Sequence, residues 1–394
     1  MSRSLSSIPF STIPFASLSD INLDTFSQIC SQTVNMEDYP HALAAEANIL
    51  LYRGSDLLDL GFADREDLKT EKDNALSLGP GVVIIRNSFS NTNVLDQQTE
   101  VFERIVKAES AHRVAGDHFA APGANTRIWN AIQKTAERTP EVFIQYYANP
   151  IIHLISESWL GPHYQITSQV NIVHPGGLAQ QPHRDYHLGF QTNSVASRYP
   201  VNVHRLSPLL TLQGAVAHTD MPLATGPTIL LPYSHQYDLG YLAWRDAEFK
   251  HYFSKNAVQL PLQKGDQLYF NPALFHAAGG NHTAAQHRMA NLLQVSSAFG
   301  VPMETIDRRS LVRSIYPTLS RLWRTGLLSE QELANVIATS ADGYSFPTNL
   351  DTDPPVDGLA PQTDQQILEQ AVHENWPELA LAKALEQHAF RRRA

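Results

Sequence analysis

The stretch Gln165-Ile166-Thr167-Ser168-Gln169-Val170-Asn171-Ile172-Val173 places a different side-chain character at every second position. A period of two is that of a β-strand with two unlike faces. Pro175-Gly176-Gly177 follows as a turn. Downstream, residues 209–216, 228–231, 258–262, 267–270 and 289–296 read as further short strands. Gly226-Pro227 and Lys264-Gly265-Asp266 mark turns between them. Several short strands separated by such turns predict an antiparallel sandwich or barrel.

Working upstream, Gly79-Pro80-Gly81 is a turn and Val82-Val83-Ile84-Ile85 a buried strand. Residues 1–40 read as an extended arm with local turns, and 42–60 and 94–109 as helices. Thr139-Pro140 predicts an N-cap with proline at the first helical position, and helix resumes over 151–160. After Pro302 the pattern is helical again. Ser329-Glu330-Gln331-Glu332 and Thr363-Asp364-Gln365-Gln366 match capping boxes. Behind the second, Leu368, Val372, Trp376 and Leu379 make one apolar stripe, and 351–361 is a proline- and acid-rich loop. The plan is a mainly β core with flanking helices in one unit: an arm and helical extension over 1–78, the core with its preceding helices over 79–300, and a helical extension over 301–394.

Composition narrows the partners. Asp+Glu number 39 against 29 Lys+Arg, so the surface is acidic. Nucleic acid and anionic membranes both require clustered positive charge and are not expected. The basic run Arg391-Arg392-Arg393 reads as a solvated tail. One cysteine, Cys30, precludes an intrachain disulfide. No apolar run is long enough to span a bilayer. The segment 1–18 lacks an apolar core behind a basic start, so no signal peptide is expected, and the cytoplasm is the default location.

His183, Asp185 and His276, with Arg288 beyond them, carry the chemistry. Two imidazoles and a carboxylate on one face of an iron(II) ion leave positions open for co-substrate and dioxygen. In an extended segment, residues i and i+2 project to the same side, so His183 and Asp185 reach one metal together. His276 follows the strand 267–270 and must come from a neighbouring strand. The guanidinium of Arg288 is a planar clamp for a carboxylate, as a dicarboxylate co-substrate requires. A second His-x-Asp, His218-Thr219-Asp220, is a rival. It continues the apolar strand Val216-Ala217, where a histidine is more often a satisfied core residue, whereas His183 sits in a polar, Gly-flanked loop. With 17 histidines in the chain, a lone His-x-Asp carries little; its joint occurrence with a β-rich segment, a distal His and an Arg carries more.

Four stretches together resemble the phytanoyl-CoA dioxygenase family of iron(II)/2-oxoglutarate oxygenases, over about residues 79–299. Gln181-Pro182-His183-Arg184-Asp185 is similar to its metal loop. The stretch from Thr225-Gly226-Pro227-Thr228 to Pro232-Tyr233-Ser234-His235 is similar to its signature strand. Lys264-Gly265-Asp266 resembles its penultimate hairpin, and His276 to Asn281, followed by Arg288, its distal ligand region. The resemblance implies a double-stranded β-helix (a cupin-like jelly roll), with iron(II), 2-oxoglutarate and O2. It implies hydroxylation of an unactivated carbon, with desaturation, epimerisation or peroxide formation as variants. Related halogenases carry a small residue at the carboxylate position; Asp185 argues against that chemistry. Tyr233 stands where glycine is commoner, and His235 reads as structural.

Further candidates keep two readings each. Gln169 and Thr228 are placed to hydrogen-bond 2-oxoglutarate, or are ordinary strand residues. Asn281 contributes to cofactor binding or orients the His276 loop. Asp117, His118, Arg127 and Trp129 line a substrate pocket or form a capping surface loop. Tyr241 and Trp244 form a lid or the apolar face of a helix. A small-molecule substrate is expected; acyl-CoA lacks a basic cluster for its phosphates, and the oligomeric state is open. The alternatives are a cupin-like metal enzyme without co-substrate, for which Arg288 has no use, and a non-catalytic jelly-roll binding protein, which needs no metal.

Overall fold

Residues 14–89, 91–111, 123–347 and 349–393 are described in the computed structural model. Its strands are β1 (Ala44–Glu46), β2 (Ile49–Arg53), β3 (Val82–Arg86), β4 (Asn125–Ile128), β5 (Gln165–Val173), β6 (Thr211–Ala217), β7 (Ile229–Leu231), β8 (Gln267–Phe270), β9 (Phe275–Ala277) and β10 (Arg288–Ser296). Eight of them form one mixed sheet in the order β1-β2-β3-β8-β6-β10-β5-β4. The β2–β3 pair is parallel and the other pairs are antiparallel. A second, smaller layer pairs β7 with β9. Single bridges extend it on both sides, His183 to His276 and Leu230 to Val258. Fifteen α-helices flank these layers among the described residues, more helix than a mainly β core suggests.

Alternation along the strands assigns the two faces of the large sheet. Leu50, Val83, Tyr269, Val216, Leu293 and Val295 point one way and share a core with Phe143, Ile151 and Leu311 of the helices. Leu51, Ile84, Leu268 and Ala215 point the other way and pack on Leu230 and Leu274 of the small layer. Further along this second face the residues turn polar: Gln213, Gln294, Thr167, Gln169 and Arg288 follow in the same register. Apolar packing therefore closes one end of the space between the layers, and polar side chains line the other.

Expected strands 267–270, 165–173 and 289–296 form within a residue, and both capping boxes are made. Other expectations need correction. Residues 42–60 are not one helix. They form the β1–β2 hairpin, turning through Ala47 (φ 50) and Asn48 (φ 62), followed by a helix at Gly54–Leu58. A two-residue turn with both φ positive matches the twist of paired strands. The apolar run Ile49–Tyr52 is buried on both faces, and such a run has no period that separates strand from helix.

The arm contains a helix, Leu23–Cys30, whose N-cap Asn22 accepts from the Thr25 N–H. It seats Phe26 against Tyr237, Phe249 and Phe275; full burial of such a ring contributes about 1.5–3 kcal/mol. Thr139 does precede Pro140 at a helix start, but its hydroxyl donates to Thr135 O and caps nothing. Strand β6 starts at Thr211, because Leu209 still closes the helix Val201–Leu209. Residues 258–262 make only isolated bridges at Val258 and Leu262; Pro261, without an N–H, cannot extend a ladder. In the C-terminal stripe Leu379 is 85 % exposed, and Leu381, Leu385 and His388 are the buried residues of that helix.

Three buried histidines tie helices to the rest of the molecule. His153 bonds Tyr147 O at 2.9 Å and the Tyr164 hydroxyl, His218 lies between Thr99 and Tyr146, and His235 reaches Ser77 O at 3.0 Å. Burial pushes His153 down to about 4 and His218 and His235 to about 3, from an ordinary 6.5. Below pH 6.5 the unfolded chain binds protons that these native rings refuse, so stability falls with acidification, by up to ~1.4 kcal/mol per pH unit per ring. Urea midpoints are expected to drop between about pH 7 and about pH 5. A steady midpoint would contradict neutral buried rings.

Candidate metal centre

His183 and His276 face each other across an antiparallel bridge. The His183 N–H donates to His276 O at 3.0 Å, and the His276 N–H to His183 O at 3.2 Å. Directly opposed residues place their side chains on one face, and the two rings lie 4.4 Å apart. Asp185, two residues on, returns to the same side and is held by its N–H to Pro272 O at 3.1 Å. One ligand atom from each of the three lies within 4.8 Å of the others, the only such group among the described residues. Asp185 Oδ1 is 3.4 Å from His183 Nε2, and Oδ2 is 3.3 Å from His276 Nε2.

The backbone also selects the ligating nitrogens. His183 Nδ1 donates to Gln181 O at 2.9 Å and His276 Nδ1 to Leu274 O at 2.8 Å. Each bond uses the far nitrogen as donor and leaves the Nε2 lone pair toward the cluster, as a metal-binding imidazole requires. Burial opposes ionisation of Asp185, but His183, His276 and the Gln213 amide outweigh it and hold its carboxyl below the ordinary carboxylate range. Burial, reinforced by His276, lowers His183 against the pull of Asp185. The donor set is thus two imidazoles that each turn Nε2 toward the cluster and one carboxylate, which fits iron(II).

Arg288 opens β10 and is 6 % exposed. Nη1 donates to Thr225 O at 3.2 Å and Gly279 O at 3.3 Å, and burial lowers its pKa to about 10. Arg288 forms no ion pair among the described residues. Gln169, also buried, accepts from Arg127 Nη1 at 3.0 Å. Thr228 is half-buried with no side-chain hydrogen bond among the described residues. Asn281 is fully engaged: Nδ2 donates to Val173 O and Gln286 O, and Oδ1 accepts from the Thr283 N–H and hydroxyl. It braces the turn into β10.

The rival pair separates. His218 bonds Thr99 and Tyr146, away from the cluster, and Asp220 accepts from the Lys264 N–H. Arg127 stacks on Trp129 at 5.1 Å, while Asp117 and His118 lie outside the described residues. Tyr241 is fully buried and donates to Asp185 O at 3.3 Å; Trp244 is half-buried under Arg245. Tyr233 has φ 67 in the left-handed region, which accounts for a turn where glycine is commoner.

Gln213 was not singled out from the sequence. It lies on β6, and its Nε2 donates to Asp185 Oδ2. A glutamine in an otherwise apolar buried strand was the available signal. Tyr186 (φ 61) and His187 (φ 30) follow the carboxylate in strained conformations. The buried Tyr186 hydroxyl donates to Gln294 Oε1 on the sheet and holds this kink in place.

The model of the family described as Phytanoyl-CoA dioxygenase (PhyH) matches residues 78–290. The chain is 25 % identical over 264 residues to Dioxygenase trt7 of Aspergillus terreus (strain NIH 2624 / FGSC A1156), covering 62 % of this chain and 80 % of that protein. It is 30 % identical over 174 residues to Iron/alpha-ketoglutarate-dependent dioxygenase ausU of Aspergillus calidoustus, covering 42 % and 52 %. Among solved structures, the non-heme alpha ketoglutarate dependent epimerase SnoN from nogalamycin biosynthesis aligns at 17 % identity with a TM-score of 0.42, over 60 % of this chain and 84 % of that one. With a match spanning more than half of its length, this chain belongs to the phytanoyl-CoA dioxygenase family.

Proposed function

We propose that the chain is an iron(II)- and 2-oxoglutarate-dependent dioxygenase that hydroxylates an unactivated C–H bond of a small organic metabolite. The observation that carries this reading is the convergence of three ligand atoms within 4.8 Å on the small layer, toward which the large sheet extends a buried guanidinium. The large sheet and the smaller layer act as the two sides of a double-stranded β-helix, with the residues before 79 and after 300 as extensions.

His183, Asp185 and His276 hold the metal through Nε2, a carboxylate oxygen and Nε2. Arg288 pairs with the distal carboxylate of 2-oxoglutarate. Gln169, whose Nε2 has no partner among the described residues, and Thr228 contribute further contacts to it. Bound iron with the keto acid supplies the activation of dioxygen, in which 2-oxoglutarate becomes succinate and carbon dioxide and one oxygen atom goes to the substrate. Gln213 keeps Asp185 oriented. An open groove of about 260 Å³, lined by His187, Leu188, Val203, Leu206 and Leu210 among others, lies beside the loop that carries Asp185.

Anaerobic titration tests the reading. Iron(II) and 2-oxoglutarate together should give the wild type a weak visible charge-transfer band, absent in His183→Ala, and admission of air should yield succinate. A wild type that binds no iron(II), or that turns over without 2-oxoglutarate, would overturn it.

A further inference from the structure

Arg184 stands between two proposed ligands, yet its side chain points away from them, as alternation in an extended segment demands. It is 2 % exposed. Nη2 donates to Ser234 O at 2.6 Å and Tyr237 O at 3.0 Å, with His235 O at 3.5 Å. The guanidinium lies 5.1 Å from the centre of the Tyr241 ring and 5.2 Å from that of Phe275. No carboxylate lies at ion-pair distance from it among the described residues, although Asp238 attracts it from further away, and a buried cation without a direct partner is costly to hold.

The contacts of this group reach both halves of the site. Phe275 directly precedes His276. Its N–H donates at 2.7 Å to the hydroxyl of Ser234, the residue whose carbonyl receives Arg184. Tyr241, the other ring against the guanidinium, donates its own hydroxyl to Asp185 O. The loop carrying His183 and Asp185 and the strand carrying His276 are therefore anchored at one residue, Ser234, and press on one guanidinium. The fit leaves no slack: a Cβ on Gly240 would lie 1.9 Å from Arg184 Cζ.

We propose that Arg184 is a positioning residue that locks the two ligand-bearing segments in register and so sets metal affinity. It never touches the metal or the substrate. The planar guanidinium sets Nη2 among three carbonyls while its plane lies against two rings; a lysine ammonium has no such plane. The inference rests on the iron site proposed above.

Cobalt(II) titration of the metal-free protein under anaerobic conditions, read by calorimetry and by the ligand-field spectrum, tests it. Arg184→Lys should weaken cobalt(II) binding ~10- to ~100-fold, the range for lost partners of metal ligands, and should alter the ligand-field bands. Gly240→Ala, which displaces the guanidinium and keeps the arginine, should shift affinity in the same direction. Arg205→Gln removes a nearby ion pair, Arg205 with Asp238 at 2.6 Å, and should leave cobalt(II) affinity within about twofold. The proposal is overturned by a folded Arg184→Lys or Gly240→Ala that binds cobalt(II) within about twofold of wild type. Gly240→Ala decides alone if the lysine variant does not fold. A wild type that fails to bind cobalt(II) sinks the iron site itself, a separate outcome.

Discussion

His276→Ala loses the metal and turnover, while His218→Phe keeps both and loses only stability. His276 supplies one of three donors, and no other histidine, cysteine or carboxylate joins that group among the described residues. Loss of an outer partner of a ligand already costs ~10- to ~100-fold in affinity; loss of the ligand itself should exceed this, leaving succinate formation below ~1 % of wild type. His276 is also buried, so water entering an alanine variant replaces the imidazole poorly. His218 offers the contrast, since it belongs to the second, less favoured His-x-Asp of the sequence. Its ring bonds Thr99 at 2.8 Å and Tyr146 at 3.0 Å. Phenylalanine there removes one bond from each of two partners, of which Thr99 keeps Leu95 O and Tyr146 keeps the Asn291 amide, and should cost about 1–3 kcal/mol of folding stability with iron(II) binding unchanged. Equilibrium dialysis with iron(II) and urea unfolding on both variants check the pair. Metal loss in His218→Phe would reverse the assignment.

What was legible follows from how local each signal is. Strand β5 alternates over nine residues and could be read directly, and the capping boxes of the C-terminal helices each span four residues. His183 and Asp185 were legible because their spacing matches the strand period, and the partner His276 because a strand and a turn precede it. The β1–β2 hairpin was not legible: Ala47 and Asn48 turn it without the Asn-Gly signal, and its parallel partner β3 lies far along the chain. The helix Leu23–Cys30 gains its apolar contacts from Tyr237, Phe249 and Phe275, which no local window contains. Gln213 and Arg184 escaped for the same reason. A glutamine is ordinary until the fold brings Asp185 to its amide, and an arginine between two ligands reads as a surface charge until Ser234 and Tyr237 close around it.

Arg288→Ala raises the 2-oxoglutarate requirement far more than it changes the metal. The guanidinium lies at the start of β10, opposite Val173, with two backbone carbonyls on Nη1 and no acid beside it among the described residues. Those carbonyls orient the group without neutralising it, so its charge stays available to a ligand carboxylate. Truncating one member of a buried, hydrogen-bonded charge pair costs about 2–5 kcal/mol, equivalent to a ~30- to ~5000-fold rise in the 2-oxoglutarate dissociation constant. Arg288→Lys should fall between, since an ammonium keeps the charge but not the planar pair of donors. Iron(II) affinity measured without 2-oxoglutarate should stay within about twofold, because none of the three ligands bonds Arg288. The distinction matters for the alternatives: a metal enzyme needing no keto acid would lose little activity in either variant. If Arg288→Ala binds 2-oxoglutarate as tightly as wild type, with the charge-transfer band half-saturating at the same concentration, the carboxylate clamp lies elsewhere.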